Sequence, residues 1–149
     1  MTFIYRIHST GLVYAPGCFA DTDEIVALAR VAAEYGGIYT SHIRGEGETL
    51  LDAVREAIEV GRRANIPVEI SHFKAHGREN WGKTRESLRL VEEARREGID
   101  VTFDQYPYTA SSTGLAALLP AWVREGGNDK MLERLRNVEV RERIKEDPK

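Results

Sequence analysis

The segments TSHIR (residues 40–44) and ISHFK (residues 70–74) decide the predicted fold, because they repeat one pattern. In each segment a serine precedes a histidine and a cation follows two residues later, at the end of a β-branched or aromatic run typical of a strand. The run IDVTFD (residues 99–104) predicts a further strand that ends at Asp104. The three predicted strand ends lie 30 and 32 residues apart, which is the length of one strand followed by one helix.

Amphipathic helices are predicted between these strands. Apolar residues recur at three- and four-residue steps over residues 21–35, 50–64 and 88–94, as one buried helix face requires. Asp21 is the expected N-cap of the first helix, because Glu24 follows three residues later and completes a capping-box pattern. Strands that alternate with helices in this way form a parallel sheet with right-handed crossovers.

The placement of the polar residues favours a (β/α)8 TIM barrel over a doubly wound sheet. Each of these predicted strands ends in histidine or aspartate, and barrel active sites form at the carboxyl ends of the strands. No glycine-rich phosphate loop of the kind found in doubly wound sheets follows any of these strands. A complete barrel needs about 250 residues. We therefore expect residues 1–149 to form a single partial α/β barrel domain with three βα units and a C-terminal helical segment. A fourth unit is expected if HSTGLVY (residues 8–14) ends a strand.

Composition argues against several classes of function. The 149 residues carry a formal net charge of −3, so no global basic field is present to hold a nucleic-acid backbone. The single cysteine, Cys18, cannot form an intrachain disulfide, and we expect a cytoplasmic protein. The N-terminal apolar stretch is interrupted by Arg6 and His8, so neither a signal peptide nor a membrane span is predicted.

His42 and His72 are the candidate metal ligands. Neighbouring parallel strands lie about 4.8 Å apart, so imidazoles at matched strand ends can converge on one ion. Zn²⁺ accepts histidine nitrogens, and a catalytic zinc keeps one position open for water. The alternative is a hydrogen-bonded structural role, and it stays open for each histidine.

The other polar residues near the strand ends each have two interpretations. Arg44 and Lys74 would bring cations to the barrel mouth, where they suit an acidic group of a substrate, or would form ion pairs. We expect Asp104 to cap the following turn or to pair with one of these cations rather than to bind metal. His8 and His76 lack the pattern of the histidine pair, so both are expected at the surface, with a substrate contact as the alternative for His76.

Five longer motifs resemble the D-aminoacylase branch of the amidohydrolase superfamily, the metal-dependent N-acyl-D-amino-acid deacylases. They occur in the family's order: STGLVYAPG (9–17), ADTDEIVALA (20–29), GGIYTSHIRGEG (36–47), EISHFKAHGRENWGK (69–83) and DQYPYTASSTGLAALLPAW (104–122). The resemblance implies a barrel of the metal-dependent hydrolase type. Such an enzyme hydrolyses the amide of an N-acyl-D-amino acid, giving a carboxylate and a free D-amino acid.

The resemblance also implies roles for individual residues. His42 and His72 match the family's zinc-binding histidines, and the complete enzyme would hold one or two zinc ions. Lys74, Tyr106 and Ser112 match residues that contact the substrate, with Tyr106 preferred to Tyr108.

The chain also departs from the family's pattern. The His-x-His pair of the first strand, the metal-binding cysteine and the general-base aspartate of the last strand have no counterpart, and Cys18 does not match that cysteine. We therefore expect no catalytic residue within this chain, which would be a fragment inactive alone. One alternative is a cyclic-amide amidohydrolase resembling dihydroorotase or hydantoinase. Another is a non-catalytic remnant or half-barrel, which could self-associate through its open sheet edges.

Overall fold

The computed structural model describes residues 6–147, in which four parallel strands pair in sequence order and helices cover one face of the sheet. The strands are β1 (Ile7–Gly11), β2 (Ile38–His42), β3 (Val68–Phe73) and β4 (Val101–Gln105). The long helices between them are α1 (Thr22–Glu34), α2 (Leu50–Ala64) and α3 (Lys83–Arg96). The alternation of strands and helices and the partial-barrel architecture are confirmed, and β1 supplies the fourth βα unit.

Local sequence signals account for the helix boundaries. The Asp21 carboxylate accepts a hydrogen bond from the backbone N–H of Glu24 at 2.8 Å, so the predicted N-cap of α1 is confirmed. At the other end of α2, Asn65 adopts a left-handed conformation with φ of 51°, and its N–H donates to the Gly61 carbonyl. Asparagine tolerates this conformation better than most residues, so it ends the helix where glycine commonly would.

The strand register separates an apolar face from a polar face. Tyr39, Val68 and Val101 are aligned on adjacent strands, are buried, and pack against the helices. The next aligned positions, Thr40, Glu69 and Thr102, are half-buried or exposed. Side chains alternate across a strand, so this second face is the one that a closed barrel would enclose.

The N-terminal part of the described chain corrects one expectation. His8 was expected at the surface, but it lies in β1, is half-buried, and stacks on Tyr39 with ring centroids 5.5 Å apart. The reason is its position in the register, which aligns His8 with Tyr39 on the helix-covered face. The preceding residues 1–5 lie outside the described part of the chain.

The expected C-terminal helical segment forms three helices: α4 (Ala121–Arg124), α5 (Gly127–Arg136) and α6 (Val138–Glu146). Asn137 separates the last two, because its side chain accepts a hydrogen bond from the N–H of Glu139 at 2.9 Å. An asparagine that caps in this way starts a new helix. Over residues 6–147, every helix is too short or too polar to cross a bilayer.

Candidate metal centre

His42 and His72 lie side by side at the carboxyl ends of β2 and β3, with ring centroids 4.3 Å apart. Their strands do not bring them together by simple alignment. Ser41 pairs with Ile70, so continued regular pairing would place His42 opposite Ser71. An irregularity between Ile70 and Phe73, with a φ of 44° at His72, instead turns the His72 side chain toward His42.

Glu46 completes a group of three donors with the two histidines. One nitrogen of each imidazole and one carboxylate oxygen all lie within 4.8 Å of one another. Oε1 of Glu46 is 3.0 Å from Nδ1 of His72 and 3.8 Å from Nε2 of His42. Two imidazole nitrogens and a carboxylate oxygen are ligands that Zn²⁺ accepts, so this donor set fits a zinc ion.

The Lys74 ammonium already lies against this donor set. Its Nζ is 2.5 Å from Oε1 of Glu46 and 2.9 Å from Nδ1 of His72, and it also donates to the His72 carbonyl. Both partners of the Lys74–Glu46 pair are largely withdrawn from solvent, with side chains 16% and 14% exposed. The space between Glu46 and His72 therefore favours a positive charge, as a metal-binding site must.

Burial lowers the pKa of His42, and the neighbouring His72 and Lys74 lower it further, while Glu46 opposes them. At neutral pH the His42 imidazole is consequently uncharged. The uncharged ring is the form that can bind a metal ion.

The loop between β2 and α2 holds Glu46 in place through its backbone. The Glu46 carbonyl accepts a hydrogen bond from the His76 N–H at 2.7 Å, and the His76 carbonyl accepts one from the buried Asn80 side chain at 2.7 Å. His76 itself is exposed, as expected, and it also lines the cavity beside the histidine pair.

A cavity of about 310 Å³ opens in front of the histidine pair. Its lining includes the predicted substrate-binding residues Lys74, Tyr106 and Ser112, while Tyr108 lies outside it and is 71% exposed. The Lys74 ammonium lies 4.7 Å from the Tyr106 ring centroid. A larger groove of about 540 Å³ lies across α1, α2 and α3 on the outer side of the sheet, but it contains none of these residues.

Arg44 does not reach this cavity, which corrects the expectation that it would bring a cation to the barrel mouth. Its guanidinium forms two 2.9 Å hydrogen bonds to the Glu56 carboxylate and donates to the carbonyls of Cys18 and Ala20. The strand ends at His42, so the alternation that would have pointed Arg44 the same way no longer holds. The alternative interpretation, an ion pair, is what the structure shows.

Asp104 pairs with neither Arg44 nor Lys74. Its Oδ1 accepts the backbone N–H of His72 at 2.5 Å. Burial opposes ionisation of Asp104, but that N–H and a hydrogen bond with Glu69 lower its pKa. Burial raises the pKa of Glu69, although the hydrogen bond from Ser71 opposes this, and the adjacent Asp104 raises it further.

Sequence reasoning missed two residues of the site, Glu46 and Tyr14. Glu46 follows His42 by four residues in a loop, and only its spacing from the histidine could have indicated it. Tyr14 lies 5.1 Å from His42 between ring centroids, and its hydroxyl is 3.1 Å from Oγ1 of Thr113. Tyr14 belongs to the STGLVYAPG motif, but nothing in that motif indicates that the loop folds over the histidine.

Comparison with known proteins identifies relatives of the predicted type. The chain is 48% identical over 105 residues to N-acyl-D-glutamate deacylase from Alcaligenes xylosoxydans xylosoxydans, covering 70% of this chain and 22% of the relative. It is 45% identical over 107 residues to D-aminoacylase from the same organism, covering 72% of this chain and 22% of the relative. No protein-family model matches the chain.

A solved structure agrees with the sequence relatives. N-acyl-D-glutamate deacylase from Bordetella bronchiseptica, complexed with zinc and a phosphonate inhibitor that mimics the tetrahedral intermediate, superposes with a TM-score of 0.65 and 43% identity. The match covers 67% of this chain and 21% of that one. The resemblance to the D-aminoacylase family is confirmed, and the chain spans about a fifth of the length of these relatives.

Proposed function

Since this chain corresponds to a segment of the D-aminoacylases, we propose that it supplies part of the active site of a zinc-dependent amidohydrolase acting on linear amides. The reaction would hydrolyse an N-acyl-D-amino acid to a carboxylate and a free D-amino acid. The observation that carries the proposal is the convergence of His42, Glu46 and His72 at the carboxyl ends of adjacent parallel strands, beside a cavity. Barrel active sites form at this end of the strands.

In this proposal His42 and His72 hold one zinc ion, of the one or two that the complete site contains. Glu46 would act as a third donor or balance the charge of the ion. A bound zinc would polarise the scissile carbonyl and activate water near neutral pH. The chain's own contribution is to keep the His42 imidazole uncharged and to hold Glu46 beside both rings.

Lys74, Tyr106 and Ser112 are the proposed substrate contacts. A carboxylate of the substrate would replace Glu46 as a partner of the Lys74 ammonium, once Glu46 turns to the metal. Tyr106 and Ser112 line the same cavity and can donate hydroxyl hydrogen bonds to the substrate. A volume of about 310 Å³ is at the small end of ligand pockets and suits an acylated amino acid.

The site is incomplete within residues 6–147, because three donors lie together but no general base is assigned among them. We propose that residues 1–149 form one partial barrel domain that does not turn over substrate alone. In the described sheet β1 and β4 are the two edge strands. Further strands, from the same polypeptide or a second copy, could pair there and bring the missing groups. A small-molecule substrate and a cytoplasmic location complete the proposal.

A chimera tests this function. The matched segment of the Alcaligenes D-aminoacylase is replaced by the corresponding segment of this chain, and hydrolysis of N-acetyl-D- and N-acetyl-L-amino acids is measured alongside zinc content. We expect a zinc-containing chimera that hydrolyses the D-substrates, and His42→Ala or His72→Ala in it should abolish both properties. His76→Ala is the matched control for zinc content, since its side chain lines the same cavity but lies outside the donor set.

Two results would contradict the proposal. A folded chimera with neither zinc nor deacylase activity would favour a non-catalytic remnant. Hydrolysis of dihydroorotate or a hydantoin in place of the N-acyl-D-amino acids would favour a cyclic-amide enzyme. Strong deacylation by the 149-residue chain alone would contradict only the statement that it is inactive by itself.

A further inference from the structure

We propose that Asp104 is a positioning residue that holds the His72 imidazole against His42. The consequence of this role for metal binding rests on the proposed function.

The register shows that β3 contains one residue more than β4 over the same length. Ile70 pairs with Phe103 and Phe73 pairs with Gln105, so Ser71 and His72 together lie opposite Asp104. Two residues opposite one define a β-bulge. If the side chains of β3 continued to alternate regularly after Ile70, Ser71 would lie on the same face of the sheet as His42, and His72 would point to the opposite face.

The bulge leaves His72 in a conformation that an ordinary strand would not hold. Its φ of 44° lies in the left-handed region, which is unfavourable for a residue with a side chain. The bulge also removes the His72 N–H from the regular ladder. An unpaired N–H at this point would favour a return to regular pairing.

Asp104 satisfies that N–H with its side chain. The 2.5 Å contact from His72 N to Oδ1 of Asp104 joins the bulged residue to the one residue that faces it. Ser71, the other bulged residue, donates to Oε2 of Glu69 at 2.8 Å. The carboxylate therefore stabilises the left-handed conformation, and that conformation directs the imidazole toward His42.

The test compares Asp104→Ala with Asp104→Asn in the 149-residue chain. Asparagine retains an oxygen that can accept the His72 N–H, whereas alanine removes it. Thr102→Ala is the matched control, because Thr102 lies on the same face of β4 and loses one hydrogen bond, to the Val68 carbonyl, without touching His72. The readouts in the metal-free chain are the three-bond HN–Hα coupling of His72 and the nuclear Overhauser effects between the two histidine rings.

We expect Asp104→Ala to raise the His72 coupling toward the value of an extended strand and to remove the ring contacts. Asp104→Asn and Thr102→Ala should preserve both. Zinc affinity, measured by calorimetry, should fall about 10- to 100-fold in Asp104→Ala and by less than about threefold in the other two variants.

An unchanged coupling and intact ring contacts in Asp104→Ala would overturn the proposal. Equal losses in Asp104→Ala and Thr102→Ala would also overturn it, since a general loss of stability would then explain the result. If the unaltered chain binds no zinc, the proposed function fails, while the couplings still decide the role of Asp104.

Discussion

Replacing Arg44 by alanine should destabilise the fold far more than removing an ordinary surface arginine. The guanidinium makes two hydrogen bonds to Glu56 and one each to the carbonyls of Cys18 and Ala20. The Glu56 side chain is only 14% exposed, so without Arg44 its carboxylate lacks its counter-charge in a poorly solvated place. The same substitution releases the loop that precedes α1.

The magnitude follows from these contacts. Hydrogen bonds to a charged group contribute about 1.5–3 kcal/mol each when buried, and neutral ones about 1 kcal/mol. The Arg44 side chain is 33% exposed, so water replaces part of what is lost. We therefore expect a decrease in the free energy of unfolding of about 2–4 kcal/mol for Arg44→Ala. Arg44→Lys keeps the positive charge but loses the bidentate contact with Glu56, and should lower the free energy of unfolding by about half as much.

Urea unfolding followed by circular dichroism measures this decrease from the shift of the midpoint at constant slope. The control is Arg62→Ala, whose ion pairs with Glu59 and Glu97 lie on the surface and should contribute less than about 1 kcal/mol. Equal losses in Arg44→Ala and Arg62→Ala would refute the structural role assigned to Arg44. A double-mutant cycle with Glu56→Ala should give a coupling of at least about 1 kcal/mol.

Two further predictions concern stability. Burial lowers the pKa of His8, so below the ordinary histidine pKa of about 6.5 the unfolded chain binds a proton that the folded chain resists. The free energy of unfolding should therefore fall as the pH drops from about 6.5 through the lowered pKa. In His8→Phe this fall, measured from urea midpoints, should be smaller. An identical pH dependence in both proteins would contradict this prediction. Gly61→Ala should destabilise the protein by about 1–3 kcal/mol in thermal unfolding, because the added Cβ would lie 2.5 Å from Cγ2 of Val68. Alanine stabilises an exposed helix relative to glycine, so a stabilised variant would contradict the close packing at this position.

Much of the fold could be predicted because its signals are local and periodic. The three-residue and four-residue apolar steps indicated α1, α2 and α3, and Asp21 with Glu24 indicated the start of the first. The repeated histidine pattern indicated that two strand ends would meet. These features depend on residues close together in sequence, and the structure bears them out.

The details of the site depended on contacts that the sequence does not display. Arg44 and Lys74 occupy the same place in the repeated pattern. Arg44 nevertheless pairs with Glu56 of α2, whereas Lys74 contacts His72. The separation of 30 residues between the two histidines suggested exact alignment, whereas the register differs by one residue and a bulge makes up the difference. Glu46 was missed because a hydrogen bond between two loops sets its position.

The central claim, that His42 and His72 bind one metal ion, is tested most directly by zinc titration of the purified chain and two single variants. Calorimetry should show zinc binding by the unaltered chain and at least a tenfold loss of affinity in both His42→Ala and His72→Ala. His76→Ala should bind as the unaltered chain does. Retention of zinc affinity in both His42→Ala and His72→Ala would contradict the claim.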